Sequence, residues 1–180
     1  MAASFLGGGF RSDPQQIYKI DPDTWKFEVL ATETPVHSEA AYGWDGTSFY
    51  IGGGPTVVSS VGPEGFPTGK FYRFKPSNGT MVEVGSLPET LLGPVGVWNP
   101  DEAAFYIIGG YEARGGLTGD GGSYQNNIQV FDPREGTVKK VGELPRKADN
   151  PAAIYNPDKR VIYLIGGHAN GEFYDDIFEI

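Results

Sequence analysis

Two histidines, His37 and His168, stand in a chain of 180 residues that has no cysteine. Imidazole ligates metals and shuttles protons near neutral pH, so these two are the first places to look for chemistry. Neither belongs to a metal-ligand spacing, and each reads more simply as a surface or loop residue. Without cysteine there is no thiol nucleophile, disulfide framework or cysteine-based metal site. Asp21-Pro22-Asp23 and Thr118-Gly119-Asp120-Gly121 place carboxylates near glycine or proline. Neither has the several oxygen ligands and terminal glutamate of an EF-hand, and turn chemistry explains both. Asn78-Gly79-Thr80 is formally a glycosylation sequon, but the same residues are what a hairpin turn requires. No phosphate-binding loop and no Ser–His–Asp order is present. The expectation is a chain without catalytic residues, metal site or cofactor.

Recognition is better represented. Two stretches, Gly54 to Lys70 and Tyr111 to Asn127, are long connections between apolar runs, and loops of such length are uncommon unless functional or disordered. They carry Phe66, Tyr111, Arg114, Tyr124, Gln125 and Asn126. Tyr and Arg are frequent anchors of protein interfaces. The glycines Gly115, Gly116, Gly119, Gly121 and Gly122 equally suit a solvated, mobile loop. With His37 and His168, these six form the expected partner-binding set.

The bulk composition limits the partner. Net charge is −9, which argues against nucleic acid, whose binders carry a basic footprint, and permits a basic partner. Residues 2–7 supply no basic or long apolar leader, and no run reaches the ~20 apolar residues of a membrane span. Lack of cysteine and of a visible address makes a cytoplasmic location the expectation. Glycine (27) and proline (14) fall between short apolar runs, the pattern of a turn-rich all-β protein.

The elements that position the loops recur. A shift of 57 residues superimposes Asn99-Pro100-Asp101 on Asn156-Pro157-Asp158, Val84-Gly85 on Val141-Gly142, and Leu87-Pro88 on Leu144-Pro145. It also pairs Ile108-Gly109-Gly110 with Ile165-Gly166-Gly167, and Ile51-Gly52-Gly53 with the first of these. Four β-branched or aromatic runs end in a glycine doublet, the first being Phe5-Leu6-Gly7-Gly8. Each reads as a buried strand. A second run follows, such as Phe71-Tyr72-Arg73-Phe74 or Ile128-Gln129-Val130-Phe131. Then comes an outer strand with alternating charge, Trp25–Val29, Met81–Val84 or Val138–Val141. A small-residue strand begins the next unit, such as Ser38–Tyr42, Pro94–Trp98 or Pro151–Tyr155. Each unit is thus a four-stranded antiparallel meander, and units of this kind bury their faces by packing on one another about an axis. In such a meander the loops between strands 2 and 3 share one rim with the crossings between units.

The glycine doublets after aromatic or aliphatic runs, the later aromatic beside Asp-Pro and the proline-marked crossings resemble kelch repeats over nearly the whole chain. The kelch period is about 50 residues. The resemblance implies an all-β, kelch-type β-propeller, here an incomplete ring of about fourteen strands in two full and two partial blades, with units at 1–33, 34–89, 90–146 and 147–180. The outer-strand Trp of the family survives only near Trp25, with Met81 and Val138 at the other positions. Kelch-like domains commonly bind proteins as scaffolds or substrate receptors, which makes a non-catalytic protein-interaction module the first expectation. A carbohydrate-binding or mutarotase-like sugar enzyme is the alternative. Galactose-oxidase copper chemistry needs a cysteine that this chain lacks. Two incomplete terminal sheets imply either a piece of a larger propeller or a ring completed by self-association, because open sheet edges invite pairing.

Overall fold

A computed structural model describes residues 4–7, 16–31, 39–56, 66–113 and 121–180, with side chains in 16–31, 39–54, 68–113 and 121–180. Every regular element among these residues is a strand. The first sheet contains β1 (Ser4–Gly7), β2 (Ile17–Ile20) and β3 (Phe27–Ala31). The second contains β4 (Ala41–Trp44), β5 (Phe49–Gly52), β6 (Lys70–Lys75) and β7 (Thr80–Ser86). The third contains β8 (Val95–Asn99), β9 (Ala104–Ile108), β10 (Asn127–Asp132) and β11 (Thr137–Glu143). The fourth contains β12 (Ala152–Asn156), β13 (Val161–Ile165) and β14 (Ile177–Glu179). All four are antiparallel meanders in chain order. Among the described residues no helix is long and apolar enough to cross a membrane.

Turn chemistry explains the joints. Asn78 Oδ1 accepts the Thr80 N–H, and Gly79 has a φ of 67°. Asp21 Oδ1 accepts from the N–H groups of Asp23 and Thr24, so that carboxylate shapes a turn. The outer strands share a bulge. One extra residue, Leu30, Val84 or Val141, stands opposite the breaks Ile17/Tyr18, Phe71/Tyr72 and Ile128/Gln129. Such a bulge bends and twists the strand that carries it.

Two sequence expectations shift. Trp25 is no outer-strand residue. It sits before β3 with a φ of 56°, and its N–H bonds to the Asp21 carbonyl. The glycine register of the second unit is one residue shorter than the 57-residue repeat. Its left-handed pair is Gly53-Gly54 (φ 72° and 76°), equivalent to Gly109-Gly110 and Gly166-Gly167. Gly52 therefore stands where the third sheet has Ile108, opposite Ala41 as Ile108 is opposite Val95. The physical reason is a volume exchange. A Cβ on Gly52 would lie 2.2 Å from the Phe71 ring, so Gly with Phe71 fills the space that Ile108 and Ile128 fill in the next sheet.

The sheets stack face to face. Between the second and third, Phe71, Phe105 and Phe131 are fully buried with Tyr50, Leu91 and Ile107. Phe71 and Phe131 stack with centroids 4.3 Å apart, and Tyr50 lies parallel to Trp98 at 5.6 Å. Burial of each large apolar side chain contributes about 1.5–3 kcal/mol. Between the third and fourth, Val97, Ile108, Ile128, Ile162 and Leu164 close a second core. Ile17, Ile51, Tyr72 and Phe74 close one between the first and second. Inner strands touch backbone to side: a Cβ on Gly96 would lie 2.6 Å from the Tyr42 backbone, and only glycine allows β8 that close to β4.

Candidate functional site

In the second, third and fourth units a glycine doublet follows the second strand and turns the chain onto the rim. There the connections expected to be plain loops carry short ribbons. Pro55–Thr56 pairs with Phe66–Pro67, Tyr111–Glu112 with Ser123–Tyr124, and His168–Ala169 with Glu172–Phe173. The crossing segment Leu91–Leu92 adds a third strand to the middle ribbon. The second glycine of a doublet ties its unit to the crossing that follows: Gly54 N–H donates to Leu91 O at 2.7 Å and Gly110 N–H to Ala148 O at 2.8 Å. A further line of bonds joins successive crossings. Gly93 N–H donates to Glu39 O and Asn150 N–H to Gly93 O, both at 2.9 Å. The rim is therefore a hydrogen-bonded platform, and side chains on it keep fixed relations.

On that platform four rings form a row from the third unit to the fourth. Tyr111 and Tyr124 meet edge to face at 5.1 Å, as do Tyr124 and His168 at 6.0 Å, and His168 and Phe173 lie tilted at 5.5 Å. Tyr111 and Tyr124, at one end of the row, line an open cleft of about 710 Å³ together with Glu39, Lys147, Asp149 and Asn150. Phe173 is 86% exposed at the end of the row.

Asp149 is the electrostatic centre. Its backbone bridges to that of His168 in both directions, at 2.8 and 2.9 Å. One carboxylate oxygen, Oδ2, lies 3.4 Å from His168 Nε2 and accepts from Asn150 Nδ2 at 3.2 Å. The other, Oδ1, is buried and has no hydrogen-bond partner among the described residues. It occupies space that a side chain at residue 93 would take, since a Cβ on Gly93 would lie 2.1 Å away. Burial pushes the Asp149 carboxyl up to about 6; nearby Glu39 adds to this, while His168 and Asn150 oppose it. A carboxyl raised by burial and short of hydrogen-bond partners, beside aromatic rings in a cleft, is a common mark of a functional position.

Of the residues expected at the site, the structure brings Tyr111, Tyr124 and His168 together. Gln125 and Asn126 lie behind the row. Gln125 Nε2 donates to Ser123 Oγ at 2.8 Å within the ribbon, while Asn126 Nδ2 donates to Leu144 O at 3.1 Å and so pins the ribbon to the next crossing. Phe66 is described by its backbone alone, while Arg114 and His37 lie outside the described residues. Arg146 pairs with Asp176, and its guanidinium lies 3.5 Å over the Tyr174 ring, a contact between the third crossing and the fourth unit. Among the described residues no three His, Asp or Glu side chains are grouped to hold a metal.

Sequence reasoning missed Asp149, Glu39, Lys147 and Phe173. One signal was available for Phe173. Phe66, Tyr124 and Phe173 each lie on the return arm of a rim ribbon, three or four residues before the third strand of the unit. Asp149 carried no comparable signal, because its burial depends on the crossing geometry.

No family model matches the chain, and no curated protein matches it in sequence. Among solved structures it is similar to that of YjhT, with a TM-score of 0.71 and 18% identity over 92% of this chain and 48% of that one. The chain thus spans about half the length of that neighbour. The likeness concerns the fold: antiparallel meander sheets stacked as in a β-propeller.

Proposed function

We propose that the chain is a non-catalytic recognition module of kelch type that binds a protein partner through the rim cleft. The observation that supports this most is the row Tyr111–Tyr124–His168–Phe173 beside Asp149. Rigid aromatic side chains bury large area at low entropic cost and are enriched among interface hot spots. Phe173 offers a ring already exposed, and Asp149 with Glu39 favours a basic side chain on the partner, in line with the net charge of −9. The chemistry asked of the site is desolvation and charge pairing, not bond cleavage.

A carbohydrate ligand is the second reading. The same cleft sets Tyr111 and Tyr124 next to Asp149, Asn150 and Asn170, groups that could bond hydroxyls. One experiment separates the two. A partner isolated by cross-linking is purified and its affinity measured by calorimetry for wild type, Tyr124→Ala and Phe173→Ala. The protein reading expects each alanine to weaken binding by about 1–3 kcal/mol, with no saturable monosaccharide binding by NMR. Saturable sugar binding that Tyr124→Ala abolishes would replace it with the second reading, and unchanged affinity of both variants for every ligand would remove the cleft from consideration.

A further inference from the structure

Each sheet has one face turned to the preceding sheet and one to the following. The registers identify equivalent positions on the following face: Ala41, Tyr50 and Phe71 in the second sheet, Val95, Tyr106 and Ile128 in the third, and Ala152, Tyr163 and Ile177 in the fourth. In the second sheet this face is closed by the third, with Ala41 and Phe71 fully buried. In the third it is closed by the fourth, with Ile108 fully buried and Val97 and Ile128 each 7% exposed. In the fourth the same face is open: Ile154, Ile165 and Ile177 are 58%, 42% and 62% exposed. At the other end of the stack, the preceding face of the first sheet shows Phe27 and Val29 at 64% and 49% exposure. Phe27 stands opposite Ile20 as Met81 stands opposite Phe74, and Met81 belongs to the buried joint between the first and second sheets.

We infer that the following face of the fourth sheet docks on the preceding face of the first sheet in a second copy of this chain. A contiguous apolar sheet face this exposed marks an interaction surface. The occupant is argued from continuity. The open face repeats, position by position, the face with which the third sheet receives the fourth, so what fits it is the preceding face of another sheet of this repeat. Among the described residues, the preceding face that no other sheet packs against is that of the first sheet, where Phe27 and Val29 are exposed. The contact is heterologous, since the two surfaces differ. Two copies would set eight sheets about one axis, within the four to eight blades such rings hold. This joint is distinct from the rim cleft, and Tyr124 and Asp149 take no part in it.

The test is sedimentation velocity on the full chain, its Ile154→Lys and Phe27→Lys variants and a mixture of the two. Both side chains are exposed in the single chain, so circular dichroism and thermal melts should match wild type. Wild type is expected to sediment as a dimer of the 19.4 kDa chain at high concentration. Each variant alone should associate roughly a hundredfold more weakly, because a lysine would be buried in an apolar joint. Mixing the two should restore dimers, since one intact copy of each face remains. Tyr124→Ala should leave association unchanged. A wild type that stays monomeric at the highest soluble concentration would overturn the inference. So would dimers that survive both lysines, or a mixture that does not recover.

Discussion

The third and fourth sheets present the same face built from the same kinds of residue, and the two faces have opposite environments. Val97 is 7% exposed and its counterpart Ile154 is 58%; Ile108 is fully buried and Ile165 is 42% exposed. The residue types alone would not separate them. What differs is whether another sheet packs on that face among the described residues. In a repeat stack, burial belongs to the joint between units rather than to the unit, and stability is a sum over such joints. The fourth sheet has one joint and the third has two, so equal side chains should carry unequal weight.

The sharpest way to break that comparison is to truncate both faces. Ile108→Ala should cost about 2–5 kcal/mol, as buried isoleucine truncations do, whereas Ile165→Ala should cost less than about 1 kcal/mol in the monomer. Urea unfolding of the two variants below the concentration of self-association checks this. Equal losses would mean that the two faces are alike after all.

Much of the architecture could be read beforehand from particular residues. The glycine doublets marked strand ends, Asn78-Gly79 marked a hairpin, and the alternation in Met81–Val84 marked a half-wet outer strand. The register around Gly52 was misread because identity of letters outweighed volume: nothing in the sequence says that Phe71 will occupy the space of a missing side chain. The candidate site was half legible. Tyr111, Tyr124 and His168 stood out by type and position. Asp149 did not, because its perturbation comes from burial against the crossing of a different unit, a contact between residues far apart in the chain.

A steric probe sharpens the comparison at the axis. Gly96→Ala puts a Cβ 2.6 Å from the Tyr42 backbone, where neither strand can yield cheaply, and should cost about 1–3 kcal/mol. The equivalent change in the fourth sheet is already present as Ala153, half-buried. Val as the replacement at residue 96 should lower the melting temperature further than Ala, as read by calorimetry.

Asp149 gives a smaller effect with a distinctive pH signature. Its carboxyl titrates at about 6 in the folded chain, against 3.8 ordinarily. A pKa raised on folding gives a stabilising contribution that is full below the unfolded value and is lost as pH rises through the folded one. Asp149→Asn should therefore melt higher than wild type above pH 6, by about 1–2 kcal/mol of stability, with the difference vanishing toward pH 4. The same variant should bind the rim ligand more weakly, which would mark Asp149 as a residue kept for recognition at a cost in stability. Thermal melts across this pH range together with calorimetric titration provide both readouts.

The least effect is expected at the exposed clip on the far rim. Asp101 accepts from Tyr155 Oη and Arg160 Nε, each at 2.6 Å, joining the third sheet to the fourth. These hydrogen bonds, Tyr155 first, hold the Asp101 carboxyl below its ordinary range. Its contribution is present above the unfolded pKa and fades as pH falls through the folded one. Asp101→Asn should lower the melting temperature slightly at neutral pH and not at all in acid.

The central claim is that the outward face of the fourth sheet is an unclosed joint of the same kind as the one inside the chain. Hydrogen exchange of the β14 amides, followed by mass spectrometry as chain concentration is raised, tests it most directly. The account predicts that Ile177–Glu179 become slower to exchange with concentration while Asn127–Asp132 in β10 stay unchanged. Exchange in β14 that is independent of concentration, or protection that rises equally in both strands, would contradict it.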